Sequence, residues 1–239
     1  MITGASGGIG RAIALAFAQQ GDNVVMGSHT NYRYAQKICS TLQKDGHICL
    51  AVQADVSDAH EVEGMFAAAE EAFGPVEILI NSAGISQQKL FCDITEDEWD
   101  TMFSVHVKGT FLSCRRALPH MLRIKQGCII NIASVWGQVG ASCESHYAAA
   151  KAAVISLTKS LAKEEGPSGV RVNCIAPGAI DTAMMDGFSA DEKRAFCEDI
   201  PLGRLGTPEE VAAVAVFLAS DAASYITGQI IAPNGGFVV

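Results

Sequence analysis

Short apolar runs recur along the chain, separated by amphipathic stretches with polar and apolar residues interleaved. The runs predict strands at Met1–Thr3, Asn23–Gly27, Ile48–Gln53, Ile78–Asn81, Gly127–Ala133, Arg171–Ala176 and Gln229–Ala232. The stretches between them predict helices. Thr95 with Glu98 has the form of a capping box and opens a long helix running through Trp99 to about Ile124. Thr207-Pro208-Glu209-Glu210 has the same form, with proline at the first helical position. The run Glu144–Lys163 also reads as a helix. This alternation predicts an α/β fold, a doubly wound parallel sheet flanked by helices. Repeats, low-complexity tracts and linkers are absent from the sequence, which predicts one domain over residues 1–239.

Composition agrees with that picture. Hydrophobic residues make up 49% of the chain and charged residues only 18%, as a sheet buried on both faces requires. The net charge of −9 argues against a nucleic-acid partner, because phosphate binding needs a basic face. There is no apolar run of about 18 residues, so no membrane span is expected. The glycine turn begins by residue 4, so no leader segment is expected before it. The eight cysteines (Cys39, Cys49, Cys92, Cys114, Cys128, Cys143, Cys174 and Cys197) form neither a Cys-x-x-Cys pair nor a cluster with histidine. They read as reduced, small hydrophobes of a cytoplasmic protein, with no metal site.

Two patterns bear on chemistry. Thr3-Gly4-Ala5-Ser6-Gly7-Gly8-Ile9-Gly10 opens a helix-forming run and is followed by a second strand. Glycine permits a tight turn and close approach to a pyrophosphate, and a helix N-terminus presents N–H groups and a positive dipole end to that anion. By itself such a turn is also compatible with a plain strand–helix connection. The second pattern is Tyr147-x-x-x-Lys151 with Ser134 thirteen residues before the tyrosine. One helical turn places phenol and ammonium on one face. A free tyrosine titrates at roughly 10, and an adjacent ammonium is expected to pull that value down, giving a general acid/base nearer working pH. Ser134 would hold a carbonyl oxygen beside the phenol. A surface tyrosine with an i,i+4 lysine is the alternative.

The glycine turn, Asn81-Ser82-Ala83-Gly84, Ser134, Tyr147-x-x-x-Lys151 and Pro177-Gly178-Ala179-Ile180-Asp181-Thr182 resemble, in order and spacing, the short-chain dehydrogenase/reductase family over essentially the whole chain. The resemblance implies a Rossmann-type fold, a nicotinamide cofactor and reduction of a ketone to a secondary alcohol. It assigns Ser134, Tyr147 and Lys151 to catalysis, with Lys151 also on the nicotinamide ribose. It places Thr3, Gly4, Ser6, Gly8, Ile9 and Gly10 at the cofactor phosphates, and Asp55 and Val56 against the adenine. Asn81, Ala83 and Gly84 would lie near a ribose, and Pro177, Gly178, Ile180 and Thr182 beside the nicotinamide. Asp55 reads equally as a cap near Ser57. The family has several apolar residues before the glycine turn, whereas only Met1 and Ile2 precede Thr3 here. An upstream start or an unusually short first strand is expected.

Cofactor choice is set after the second strand, where a carboxylate would accept from a ribose 2′-OH and repel a 2′-phosphate. The stretch Met26–Arg33 contains no carboxylate. Ser28, His29, Thr30 and Arg33 offer donors or positive charge there, so NADPH is expected over NADH. Gly7 stands where many NADP-preferring relatives have arginine, which points the other way. The family's catalytic asparagine falls at His106, whose main-chain carbonyl would be kept and whose imidazole would add a group titrating near 6.5. A histidine that only packs is the alternative.

The segments Tyr147–Lys151, Gly203–Gly206 and Tyr225–Gly228 resemble 3-oxoacyl-[acyl-carrier-protein] reductases. Carrier protein is acidic, and the resemblance places docking cations at Lys125, which is kept, and at Ser168, which is not basic although Arg171 is near. The segment Ser134–Glu144, with Trp136 and Gln138, resembles reductases of 5-aminopentanone-modified elongation factor P. Glu144, one turn before Tyr147, would pair with the amine of such a substrate, or would simply charge a helix start. The substrate is therefore a small-molecule ketone or one bound to a carrier or protein. Asp181–Pro201, with Met184, Met185, Phe188 and Phe196, reads as a mobile lid. The resemblance also implies a homotetramer, with Tyr147–Lys163 and Arg115–Ile124 as candidate faces. A non-catalytic dinucleotide-binding scaffold is the remaining alternative.

Overall fold

The computed structural model describes residues 1–185 and 187–239. Seven strands, β1 (Ile2–Thr3), β2 (Val24–Ser28), β3 (Cys49–Gln53), β4 (Ile78–Asn81), β5 (Gly127–Ile132), β6 (Val170–Ile175) and β7 (Ile230–Ile231), form one sheet in the order β3-β2-β1-β4-β5-β6-β7. Every neighbouring pair is parallel. Each predicted strand is present, with ends moved by a residue or so. β1 has only two residues, and β7 starts late because the Gln229 N–H donates to the Asn173 side chain (3.1 Å).

The helices are α1 (Gly8–Gln19), α2 (Tyr32–Lys44), α3 (Ala59–Phe73), α4 (Glu96–Phe103), α5 (Gly109–Ile124), α6 (Trp136–Val139), α7 (Ser145–Glu165), α8 (Ala190–Asp199) and α9 (Pro208–Ala219). The capping boxes read at Thr95/Glu98 and Thr207/Glu210 are formed, and Ser189/Glu192 makes a third on α8. The single long helix expected from Thr95 to Ile124 is instead broken by a π-helical turn at Ser104–Lys108 between α4 and α5. A π turn accommodates one extra residue, and such bulges tend to occur at functional sites. Gly109 ends it where an added Cβ would strike the Val56 side chain at 2.7 Å, so the helix closes down on the loop after β3.

Strand residues alternate between two core layers, as period-2 geometry dictates. Ile2, Val24, Met26, Ile80, Cys128 and Ile130 face α1, α2 and α9 with Ile13, Phe17, Leu42, Val211 and Leu218. Val25, Leu79, Ile129 and Val172 face α3 and α5 with Met65, Phe66, Leu112, Leu118 and Met121. The strand order reverses direction at β1, which pairs with β2 on one side and β4 on the other. Thr3 is opposite Asn81 at the carboxyl ends of that pair, which is where an open α/β sheet forms its ligand crevice.

Candidate active site

The glycine turn crosses the end of β1 at this crevice. Gly4 has φ +66°, and a Cβ there would stand 2.6 Å from Ala83 Cα; only glycine allows the ends of β1 and β4 to close so tightly. Thr3 Oγ1 accepts from the N–H groups of Ser82 (3.1 Å) and Ala83 (3.2 Å), locking the two strand ends together. At Gly10 a Cβ would overlap the Gly4 carbonyl oxygen. The N-cap of α1, Gly7, supplies no side-chain cap, and the first turn has no acidic residue. By contrast α3, α4, α8 and α9 are capped by Asp58, Thr95, Ser189 and Thr207. The N–H groups of α1 are thus left for an anion, and the turn fits the pyrophosphate of a dinucleotide. Thr182 reaches the same turn, since a Cβ on Gly8 would meet its methyl at 2.5 Å.

At the end of β2 the candidates divide. Ser28 is buried and its Oγ lies 2.7 Å from Ser6 Oγ, which braces the turn. His29, Thr30 and Arg33 are exposed. Arg11 donates to the Tyr34 hydroxyl at 2.7 Å beside them. Asp55 accepts from Ser57 N (2.8 Å) and Oγ (2.7 Å) through Oδ1, while Oδ2 is 3.8 Å from His29 Nδ1. Asp55 therefore does not cap α3, whose N-cap is Asp58; one of its oxygens closes a turn on Ser57, and the other faces the β2 end. The Asn81 side chain turns into the sheet, donating to Asn131 Oδ1 (2.9 Å). Asn131 in turn donates to Thr158 of α7 (2.9 Å).

Across the crevice, α7 brings Tyr147 and Lys151 against the end of β5, where Ser134 follows the strand. All three are buried. Lys151 Nζ donates to the Ile132 carbonyl (2.8 Å) and stands 5.5 Å from the Tyr147 ring centre. Burial lowers its pKa to about 8. The tyrosine departs from the expectation of a depressed pKa: burial pushes it up to about 12, the Ser134 hydroxyl pulls the other way, and the Glu144 carboxylate pushes further up. The ammonium is turned to a carbonyl, and its attraction does not outweigh desolvation of the phenolate. Ser134 Oγ accepts from Trp136 N (3.2 Å), and the Val135 N–H donates to the Pro177 carbonyl (3.1 Å), bringing the Pro177–Thr182 segment to the same corner.

His106, in the π turn, is 2% exposed and edge-on to Tyr147 with ring centres 5.4 Å apart. Its Nε2 is 2.8 Å from Ile85 O and 3.1 Å from Ile85 N. Its Nδ1 has no hydrogen-bond partner among the described residues. Its carbonyl accepts from Thr110 Oγ1 (2.7 Å). Gly84 makes room for the ring, since a Cβ there would be 2.5 Å from His106 Cε1. Burial first, then the Lys151 charge, lowers its pKa to about 3. The expectation of a group titrating near 6.5 is thereby corrected: the imidazole stays neutral.

Trp136 packs beside Met102, Tyr147 and Ala150 and edge-on to Phe237 (5.5 Å), while Gln138 on α6 is exposed. Glu144 is half-buried at the N-cap of α7, where it makes no side-chain cap; Gln88 Nε2 approaches it at 3.5 Å, and burial raises its pKa. Lys125 lies before the first residue of β5, so the whole strand separates it from Ser134. It borders Gly169, and Arg171 donates to the Leu218 carbonyl (2.6 Å). In the expected lid, Ala183–Met185 forms a 3₁₀ turn and Phe188 packs edge-on to Phe196 (5.3 Å); Asp186 lies outside the described residues. Sequence reasoning missed Gln87, Lys89, Glu98 and His146, which form a polar chain beside Tyr147. Only the Thr95/Glu98 box offered a signal there, and it pointed to capping.

Among the described residues no group of His, Cys, Asp or Glu could hold a metal ion, and no helix is long and apolar enough to cross a membrane. All eight cysteines are free.

Residues 4–238 match the family described as enoyl-(acyl carrier protein) reductase. The chain is 42% identical over 236 residues to the 3-oxoacyl-[acyl-carrier-protein] reductase FabG of Staphylococcus aureus, covering 99% of this chain and 96% of that protein. It is 37% identical over 239 residues to FabG of Thermotoga maritima (100% and 97%), and 40% identical over 238 residues to the uncharacterized oxidoreductase YmfI of Bacillus subtilis (99% and 97%). The chain belongs to the short-chain dehydrogenase/reductase family. It is an oxidoreductase of C=O/CH–OH groups that uses a nicotinamide cofactor.

Proposed function

We propose that the enzyme reduces a ketone to a secondary alcohol with NADPH, and that its ketone is a 3-oxoacyl thioester on a carrier protein. The observation that carries the reading is the buried group of Ser134, Tyr147, Lys151 and His106 facing the glycine turn across the crevice. The names of the S. aureus and T. maritima relatives support the thioester. The absence of a carboxylate from Ser28 to Arg33 supports the 2′-phosphate form of the cofactor.

The glycine turn and α1 would hold the pyrophosphate, Asp55 and Val56 the adenine end, and Lys151 with Pro177–Thr182 the nicotinamide end. The cofactor, when bound, supplies the hydride. The Ser134 hydroxyl orients the substrate carbonyl toward Tyr147. The phenol stays protonated through neutral pH and donates its proton to the carbonyl oxygen as negative charge develops there. The Lys151 ammonium, 5.5 Å from the ring centre, offsets part of the cost of the phenolate left behind in a pocket of low dielectric. Neutral His106 packs against the ring edge and fixes its tilt.

A second reading is a ketone bearing an amine, such as 5-aminopentanone on elongation factor P. The half-buried Glu144 carboxylate, with only a 3.5 Å contact to Gln88, favours it. We further infer a cytoplasmic homotetramer; the exposed Phe111 and Ile124 on α5 suit an interface, and light scattering of the purified enzyme tests it. NADPH oxidation with acetoacetyl thioester, run beside aminopentanone-modified elongation factor P, tests the substrate. Fast turnover of the thioester supports the first reading, and turnover only of the modified factor replaces it with the second. Repeating the assay with NADH tests the cofactor.

A further inference from the structure

Residues 85–89 cross the seam between α4, the π turn and α7. Ile85 is held by His106. Gln87 Nε2 donates to Glu98 Oε1 (2.7 Å), and Gln87 Oε1 is 3.0 Å from His146 Nε2. Lys89 N donates to the Cys143 carbonyl (2.7 Å), and its Nζ reaches both Glu98 oxygens at 2.8 Å. The protonation pattern follows from the groups themselves. Lys89 holds the Glu98 carboxyl down to about 2, so the carboxylate can only accept. Gln87 must then turn its NH₂ to Glu98 and its carbonyl to His146, which requires the proton on His146 Nε2. His146 is 0% exposed, and its Nδ1 has no partner among the described residues.

This matters because α7 starts without a side-chain cap and follows Cys143 at φ +60°. The first turn of α7, which presents Tyr147, has the Gln87 bridge where α3, α4, α8 and α9 have a side-chain cap. We propose that Gln87 and His146 are positioning residues for Tyr147: the bridge Glu98–Gln87–His146 ties the first turn of α7 to α4 and sets the phenol's place across the substrate cleft. The inference rests on the ketone-reductase reading. A displacement of about 1 Å at a reacting group can cost about a hundredfold in rate.

The test is a double-mutant cycle on the full-length enzyme. His146→Leu and Gln87→Leu are each expected to lower kcat at least about tenfold. The double variant falls no further than the worse single, because both remove one bridge. NADPH Kd stays within about threefold, since the cofactor candidates lie elsewhere. His146→Asn, which returns an N–H donor, recovers most of the loss. Unchanged kcat, losses that multiply in the double variant, or no recovery with asparagine overturns the proposal. If the leucine variants do not fold, Gln87→Glu sets two carboxylates against each other at the partly exposed end of the bridge, and unchanged kcat there overturns it equally. Hydrogen exchange at residues 147–149 reads the bridge without turnover. Faster exchange there in Gln87→Leu, with α1 unaffected, supports it, and equal rates sink it. A wild type inactive on every ketone would defeat the functional reading, while the exchange comparison still decides the bridge.

Discussion

Lys151 Nζ lies 5.5 Å from the centre of the Tyr147 ring and donates to the Ile132 carbonyl at 2.8 Å. The candidate pair is thus two buried groups whose pKa values move apart: lysine down to about 8, tyrosine up to about 12. Each shift disfavours the charged form, as burial must.

The pH profile of ketone reduction should follow the lysine. Tyr147 keeps its proton across the whole working range, whereas Lys151 loses its charge as pH rises through about 8. We expect kcat/KM to be flat below that value and to fall above it with one ionisation. A basic limb nearer to 12 would assign control to the tyrosine.

Tyr147→Phe removes the proton donor while keeping the ring against His106 and Lys151. Proton transfer by a positioned acid contributes about 10²–10⁴-fold, so kcat should drop by about a thousandfold with NADPH affinity little changed. Activity within about tenfold of wild type would move the donor role elsewhere.

His106 is neutral well below its ordinary 6.5, with a folded value of about 3. Between those limits the unfolded chain binds a proton that the folded chain refuses. The stability contribution is therefore complete above 6.5 and lost as pH falls toward 3. His106→Asn should weaken the pH dependence of the unfolding midpoint in that window. It should also keep at least roughly a tenth of wild-type turnover, because a neutral ring that only packs and bonds to Ile85 is replaceable by an amide. A loss as deep as that of Tyr147→Phe would make the imidazole essential.

Gly84→Ala places a methyl 2.5 Å from His106 Cε1. The ring cannot retreat, because Tyr147 stands edge-on to it. Overpacking of this kind costs about 1–3 kcal/mol, and thermal unfolding together with turnover should both register it. An unchanged midpoint would mean that the loop after β4 yields freely.

Glu144→Gln separates the two substrate readings. Its raised pKa reflects burial with little compensation. For an acyl thioester the substitution should leave kcat/KM nearly unchanged. For an amine-bearing ketone it should raise KM about tenfold or more, through loss of a charge-assisted contact. Equal effects on both substrates would make Glu144 structural.

Much of the fold was legible along the chain. Strands buried on both faces are apolar at nearly every position, so β2, β4, β5 and β6 announce themselves by composition. The capping boxes at Thr95 and Thr207 depend on residues three apart. The stretch from Thr95 reads as one continuous helix because a π turn has no apolar period of its own; the turn ends where Gly109 closes on Val56. Position along the chain points Ser28 and Asn81 toward the cofactor, yet their side chains bond to Ser6 and Asn131. Which face a strand-end side chain takes depends on its neighbours, and they come from distant segments.

The sequence by itself determined what depends on short spacing: the alternation of strands and helices, the glycine turn before α1, and the Tyr147–Lys151 step on one face of α7. These follow from backbone periodicity, which a few consecutive residues express. Only the tertiary structure decided that Lys151 points to Ile132, that His106 is sealed behind Gly84 and held neutral, and that Gln87 bridges Glu98 and His146. Burial and hydrogen-bond partnership are properties of groups brought together from far apart in the chain, and they set the charge states on which the chemistry depends.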